Sequence, residues 1–320
     1  MTNFPAPELL VGVDVGGSKT HIRIERADTG AILHDTIHSS TGWAGLSDTD
    51  RAHALAALVE TSTAGRGTVA SLVAGVHGND SREQEEVLQA PIRSQYPIVR
   101  ILNDSHLLVL AHGSPSGTGL IAGTGSSATS ILSDGEALTV GGWGWLLGDE
   151  GGAVGIVRDA ARQVLHAYDS EEVDPLTNLL LMGLGVDHPH GLQHRLTATE
   201  PREWARAAEQ VFAALEVGSM RAQAVIDAHA EAMAGMIELL ARRGGDVSTV
   251  VCAGGVITNQ PILFEAVRAS IKARVCVTRD VILLKDPPVS GAITLARKLY
   301  QASEREHRRV DATGNYSAFN

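Results

Sequence analysis

Phenylalanine, tyrosine and tryptophan make up only 4% of this chain. A surface that binds single-stranded nucleic acid needs aromatic faces for the bases to stack on, so that class of binder is not expected. Positive charge is also short. Lys and Arg number 26 against 37 Asp and Glu, for a formal net charge of -11. Such a surface repels phosphate backbones and anionic lipid heads, so neither nucleic acid nor a membrane is an expected partner. No apolar run approaches the ~20 residues of a membrane helix. Met1–Leu10 has no basic stretch leading into an apolar one, so no secretory leader is expected. Cys252 and Cys276 are the only cysteines and form no CxxC or other ligand spacing. That usage fits a reduced, cytoplasmic setting.

What is present is an ordinary globular composition, 44% hydrophobic and 20% charged over 320 residues. That length suits two domains or one large one. The stretch "GVDVGGSKT", Gly12 to Thr20, has the glycine spacing of a P-loop, but Ser18 displaces Lys19-Thr20 by one place. The following "THIRIERADTGAIL" alternates at period two and then turns at Asp28-Thr29-Gly30, so it reads as a strand. A P-loop must run into a helix. Here the glycines join strand to strand, and a tight hairpin of small residues can still aim backbone N–H groups at an anion.

Further along, a helix is expected from about Asp48, its plausible N-cap, to Ser62, then a buried strand, "VASLVAGVHG". Another helix follows, capped by Ser81 or Asp80, and then the strand "VRILND" and the helix "SHLLVLAHG". The small, turn-forming "GSPSGTG" at 113–119 marks a domain boundary. The layout then restarts: an apolar strand, a Gly/Thr/Ser turn, an alternating strand and a turn at Asp134-Gly135. Two diverged copies of one unit are expected, in an α/β fold. Long helices are expected from Gly151 and across Arg202 to Arg243 with a break near Gly218. A helix opening on Pro261 and a last helix in "SGAITLARKLYQASERE" follow, and the tail from Arg308 reads as loosely held.

"GVDVGGSKT", "LNDS", "GTGS", "GGWGWLLGDEGG" and "CAGGV" stand in an order that resembles the N-acetylglucosamine kinases, within the BadF-type ATPases of the sugar kinase, Hsp70 and actin superfamily. The resemblance spans about Val11 to Leu299. It implies two ribonuclease H-like lobes with a nucleotide cleft between them: 1–115, with the tail 301–320 packing back on it, and 116–300 with a helical insertion. It also implies ATP and Mg²⁺, a small-molecule sugar substrate and a homodimer.

By the same resemblance, Gly16, Gly17 and Ser18 would wrap the β- and γ-phosphates, with Lys19 adding charge or being merely a solvated lysine. Asp14 would hold Mg²⁺, through water. Gly123, Thr124 and Gly125 would hold phosphate from the other side, and Gly254 and Gly255 would admit adenosine. Asn259 would contact the nucleotide or cap the helix after it. Asp104 matches the catalytic base that takes the proton of the sugar hydroxyl; alone, it would read as a helix cap. Asp149 and Glu150 would bind sugar hydroxyls or favour a helix N-terminus. Gly142, Trp143 and Gly144 would form the sugar platform, with Ser126 and Ser127 beside it.

The family pattern is broken at three polar positions: Gly42 and Ser127 stand where the family has Asn, and His77 where Ser is familiar. His77 and Asn79 are candidate substrate contacts, though Gly78-Asn79 also suits a turn. N-acetylglucosamine is the first expectation, with glucosamine or N-acetylmuramic acid as alternatives. "DHPHGLQH", with His188, His190 and His194, reads as a polar loop rather than a metal site. Two other functions compete with this one: within the same superfamily, an ATPase that activates a dehydratase through an iron–sulfur cluster, and, from a different class, a non-catalytic sugar sensor.

Overall fold

The computed structural model describes residues 6–79, 81–132 and 136–314. The chain divides into two compact units, Met1–Pro115 with Lys285–Asn320, and Ser116–Leu284.

The first unit holds β1 (Glu8–Val15), β2 (Lys19–Arg26), β3 (Ile32–Ser39), β4 (Thr68–Val76) and β5 (Val99–Asn103) in the order β3-β2-β1-β4-β5. β1 to β3 form an antiparallel meander; β4 and β5 run parallel to β1. The meander settles the hairpin question, because Val15 pairs with Thr20 across the glycines and β2 follows with no helix. Side chains on a strand alternate between faces. Leu9, Val11, Val13 and Val15 therefore join the core beneath α1 (Asp48–Thr63) and α2 (Arg82–Arg93). Leu10 faces the other way, towards Leu107 of α3 (His106–His112). Ser47, not Asp48, caps α1: its Oγ accepts from the Asp50 amide (3.2 Å) and donates to Asp50 Oδ2 (2.6 Å). Ser81 caps α2, and the alternative cap, Asp80, lies outside the described residues.

The second unit repeats the pattern. β6 (Thr118–Ala122), β7 (Ser126–Ile131), β8 (Ala137–Gly141), β9 (Thr249–Ala253) and β10 (Asp280–Leu283) lie in the order β10-β9-β6-β7-β8. Again three strands form an antiparallel meander and two run parallel to its first. The turn expected at Asp134-Gly135 lies outside the described residues. Between β8 and β9 sit α4 (Ala153–Asp169), α5 (Pro175–Leu184), α6 (Gly191–Ala198), α7 (Pro201–Trp204), α8 (Ala208–Glu216) and α9 (Met220–Arg242). The break falls at Gly218, in left-handed conformation (φ 85°), and Ser219 then caps α9. α10 (Gly255–Asn259) and α11 (Pro261–Arg274) follow β9. The His-rich segment is partly helical: His194 lies in α6, while His188 and His190 stack edgewise on Tyr168 at 5.2 and 5.1 Å. Among the described residues no three His, Cys, Asp or Glu group as metal ligands.

The last helix, α12 (Val289–Gly314), corrects two expectations. Residues 285–300 belong to the first unit, not to a second lobe ending at 300. There α12 packs on β1, β4 and α3, with Ala292, Ile293 and Ala296 in the core beside Leu10 and Val73. Gly12 makes this possible, because a Cβ there would lie 2.9 Å from Ile293 Cγ1 and 3.1 Å from Val289 O. The helix also continues past Arg308, where a loose tail was expected, and residues 315–320 lie outside the described residues.

Candidate active site

In the first unit the expected residues gather at one sheet edge. Asp14 precedes the end of β1, His77 follows β4, and Asp104 follows β5. These are three neighbouring parallel strands. Their carboxyl ends are where α/β sheets bind ligands. Asp14 and Asp104 are buried, at 8% and 5% exposure. Burial pushes the Asp14 carboxyl up to about 8, the nearby Asp104 charge adds to this, and Lys19 opposes it. His77 Nδ1 is 3.8 Å from Asp104 Oδ2, and the His77 amide donates to Val15 O at 2.8 Å. In the hairpin, the Gly16 amide donates to Lys19 O (3.0 Å) and the Ser40 amide to Ser18 O (3.1 Å), while Ser18 and Lys19 stay exposed. Asn79 is 2% exposed, and neither polar atom of its side chain has a hydrogen-bond partner among the described residues.

Asp104 does not serve as the α3 cap. That turn is made by Asn103, a residue the sequence reading passed over. Its Oδ1 accepts from the Ser105 amide (2.9 Å) and hydroxyl (2.5 Å), and its Nδ2 donates to Asn79 O (3.2 Å). Asn103 thus ties the Asp104 turn to the segment after β4. The signal was the dipeptide itself, since Asn commonly bonds its own backbone two residues on.

In the second unit, the loop Gly123–Gly125 after β6 is sewn to the start of α4. Gly123 and Thr124 carbonyls accept from the amides of Ala153 (2.8 Å) and Val154 (3.2 Å). Ser126 is the hub of this region. Its amide donates to Asp149 Oδ1 (3.3 Å), its hydroxyl to Glu150 O (2.6 Å), and its carbonyl accepts from the Gly142 amide (2.9 Å). It therefore brackets the "GGWGWLLGDEGG" segment from within. Ser127 is buried against Gly142, and Trp143 stands 75% exposed between Gly142 and Gly144. Asp149 itself is left-handed (φ 62°). After β9, Gly254 takes φ 118°, and a Cβ there would fall 2.4 Å from Ala122 O, whereas nothing lies within 4 Å of a Cβ at Gly255. Asn259 is not a helix N-cap: Gln260 holds that position, and Asn259 Nδ2 donates to Gly255 O (2.7 Å) at the end of α10.

A model of the BadF/BadG/BcrA/BcrD ATPase family matches residues 11–294. The chain belongs to this family. Membership implies use of ATP, and the paired sheets are the α/β frame of the two-lobed actin-like ATPases. An N-acetylmuramic acid/N-acetylglucosamine kinase of Clostridium acetobutylicum is 25% identical over 311 residues, spanning 90% of this chain and 98% of that protein. Among solved structures, a candidate N-acetylglucosamine kinase of Chromobacterium violaceum superposes with TM-score 0.71 at 22% identity, over 91% of this chain and 100% of that one. A ROK family glucokinase of Streptomyces griseus, solved with glucose and AMPPNP, gives 0.53 at 15% identity, over 90% and 98%. No helix among the described residues is long and apolar enough to cross a membrane.

Proposed function

We propose that this chain is an ATP-dependent amino-sugar kinase, moving the γ-phosphoryl group of ATP to the 6-hydroxyl of N-acetylglucosamine or a related sugar such as glucosamine or N-acetylmuramic acid. The observation that carries this reading is the pair of buried acids Asp14 and Asp104 at the ends of β1 and β5, which flank β4, with His77 beside Asp104. Phosphoryl transfer needs positioning, charge neutralisation and removal of one proton. Asp104 takes the proton of the attacking hydroxyl. The Gly16–Ser18 hairpin holds the β- and γ-phosphates, helped by Lys19, and the Gly123–Gly125 loop with Gly254 and Gly255 holds the rest of the nucleotide. Asp149, Glu150 and the Gly142–Gly144 platform hold the sugar.

Asp14 fits a magnesium ion. It is a buried carboxylate whose charge is disfavoured by its surroundings, so a cation is its natural complement. Mg²⁺ keeps most of its water and takes few protein ligands, so one buried carboxylate could hold it. Bound there, the ion would neutralise charge on the phosphates.

The cysteines disfavour a cluster-bearing dehydratase activator. Cys252 is buried and its thiol is pushed up to about 12 by burial, so it resists becoming the thiolate a cluster needs. A sensor without catalysis would have no need of a base at Asp104. The homodimer implied by the resemblance belongs to the same proposal. A coupled ADP-release screen across hexoses, amino sugars and N-acetylated sugars tests the whole reading. Sugar-dependent ADP release is expected with an amino sugar, and its absence across the panel would refute the kinase assignment.

A further inference from the structure

The Asp149 loop is bracketed by a second set of side chains that no expected role uses. His229 of α9 is 2% exposed. Its Nδ1 accepts the Gly151 amide at 2.7 Å, so the ring carries its proton on Nε2. That nitrogen lies 3.3 Å from Asp159 Oδ2 on α4, close but off the line of a straight hydrogen bond. Asp159 is gripped in turn by Arg158, with Nε to Oδ1 at 3.0 Å and Nη2 to Oδ2 at 2.9 Å. Arg158 Nη1 then returns to the loop, donating to Gly148 O at 2.9 Å and to the Trp145 carbonyl. Burial alone would raise the Asp159 carboxyl, but the close His229 ring and the two Arg158 hydrogen bonds hold it well below the usual carboxylate range. It therefore stays charged across the working range of pH.

The chain of contacts closes on itself. It leaves the loop at the Gly151 amide and rejoins it at the Gly148 carbonyl, with only Asp149 and Glu150 between. Asp149 sits in a left-handed conformation (φ 62°). Non-glycine residues hold such a strained backbone only where neighbours over-determine it. Ser126 fixes the Asp149 carboxylate from one side. The edgewise Trp145–Trp204 contact, at 5.9 Å, anchors the start of the segment.

We propose that His229, Asp159 and Arg158 form a clasp that holds the Asp149–Glu150 backbone in place and so sets the affinity for the acceptor sugar. They are positioning residues, since they act through the loop. The sugar half of this inference rests on the kinase reading above; the clasp itself does not.

The test is His229→Leu beside His229→Gln, whose amide oxygen can still accept the Gly151 N–H. Hydrogen exchange of residues 142–152 is followed in the ligand-free protein, and KM for sugar and for ATP in the active enzyme. In His229→Leu, exchange across 142–152 should accelerate selectively and KM for sugar should rise about 10–100-fold, as loss of orientation costs. KM for ATP should stay within about twofold, the rise being confined to the site that the loop positions. His229→Gln should restore most of both. Asp159→Asn, which keeps the shape and removes the charge, should fall between. Unchanged loop exchange in His229→Leu would overturn the clasp. A loosened loop with unaltered sugar KM, or a Gln variant as impaired as the Leu variant, would overturn the positioning role. Should the wild type phosphorylate no sugar, the kinase reading and the sugar half fall together, while the exchange measurement still decides the clasp.

Discussion

His77 Nδ1 lies 3.8 Å from Asp104 Oδ2, pairing a half-exposed imidazole with a carboxylate that is almost wholly buried. The two residues follow adjacent parallel strands, so backbone pairing sets their approach. In the proposed reaction His77 stands beside the base with its ring half-exposed, open to an arriving substrate.

Asp104→Asn keeps the shape of the side chain and removes its basicity. kcat should fall about 10²–10⁴-fold, the usual contribution of a general base. Nucleotide affinity should be little changed. Coupled ADP release and a nucleotide titration check both. Turnover near the wild-type rate would remove Asp104 from the role.

Asp14→Asn should separate function from stability. Burying an unpaired carboxylate is costly, and here burial raises its pKa to about 8, with Asp104 adding to the shift. The amide variant should therefore melt at a higher temperature than wild type in metal-free buffer at pH 8. It should also lose magnesium-dependent activity. Thermal melts with chelator, and activity against magnesium concentration, test the two halves. A lower melting temperature would mean that the carboxylate has a stabilising partner.

His106, at the start of α3, should make the fold acid-sensitive. Burial, and secondarily Arg100, lowers its pKa from 6.5 to about 4. Between pH 4 and 6.5 the unfolded chain therefore binds the proton and the folded chain does not. Stability then rises with pH across that window and is lost as pH falls through it. His106→Gln should flatten this slope relative to wild type. Denaturant midpoints at pH 4, 5, 6 and 7 would show it, and parallel slopes in the two proteins would contradict it.

Gly12→Ala should destabilise the first unit without touching phosphate. The new methyl would press on Ile293 Cγ1 at 2.9 Å and Val289 O at 3.1 Å. Overpacking of this kind costs about 1–3 kcal/mol. A lower melting temperature with unchanged KM for ATP is the expected result. A raised KM for ATP with an unchanged melting temperature would instead point to a phosphate role for Gly12.

Much of the frame could be read from local chemistry. The alternation in "THIRIERA" marked β2, Gly218 marked the break before α9, and Pro261 opened α11. The restart after Gly119 marked the second sheet, whose strand order repeats the first. Asp14, His77, Asn79 and Asp104 were picked from scattered motifs, and strand order gathers His77 and Asn79 at the end of β4 between the ends of β1 and β5.

By itself the sequence determined what depends on near neighbours: strand period, turn glycines, capping residues to within a position, and the acids and glycines available for chemistry. Only the tertiary structure decided what depends on distant segments. It returned α12 to the first sheet, gave Gly12 a packing reason, and brought His229 of α9 to the Gly151 amide. The physical reason is range. Hydrogen bonds within a turn and side-chain periodicity are encoded within a few residues, whereas a buried contact between residues 151 and 229 exists only once two helices have packed.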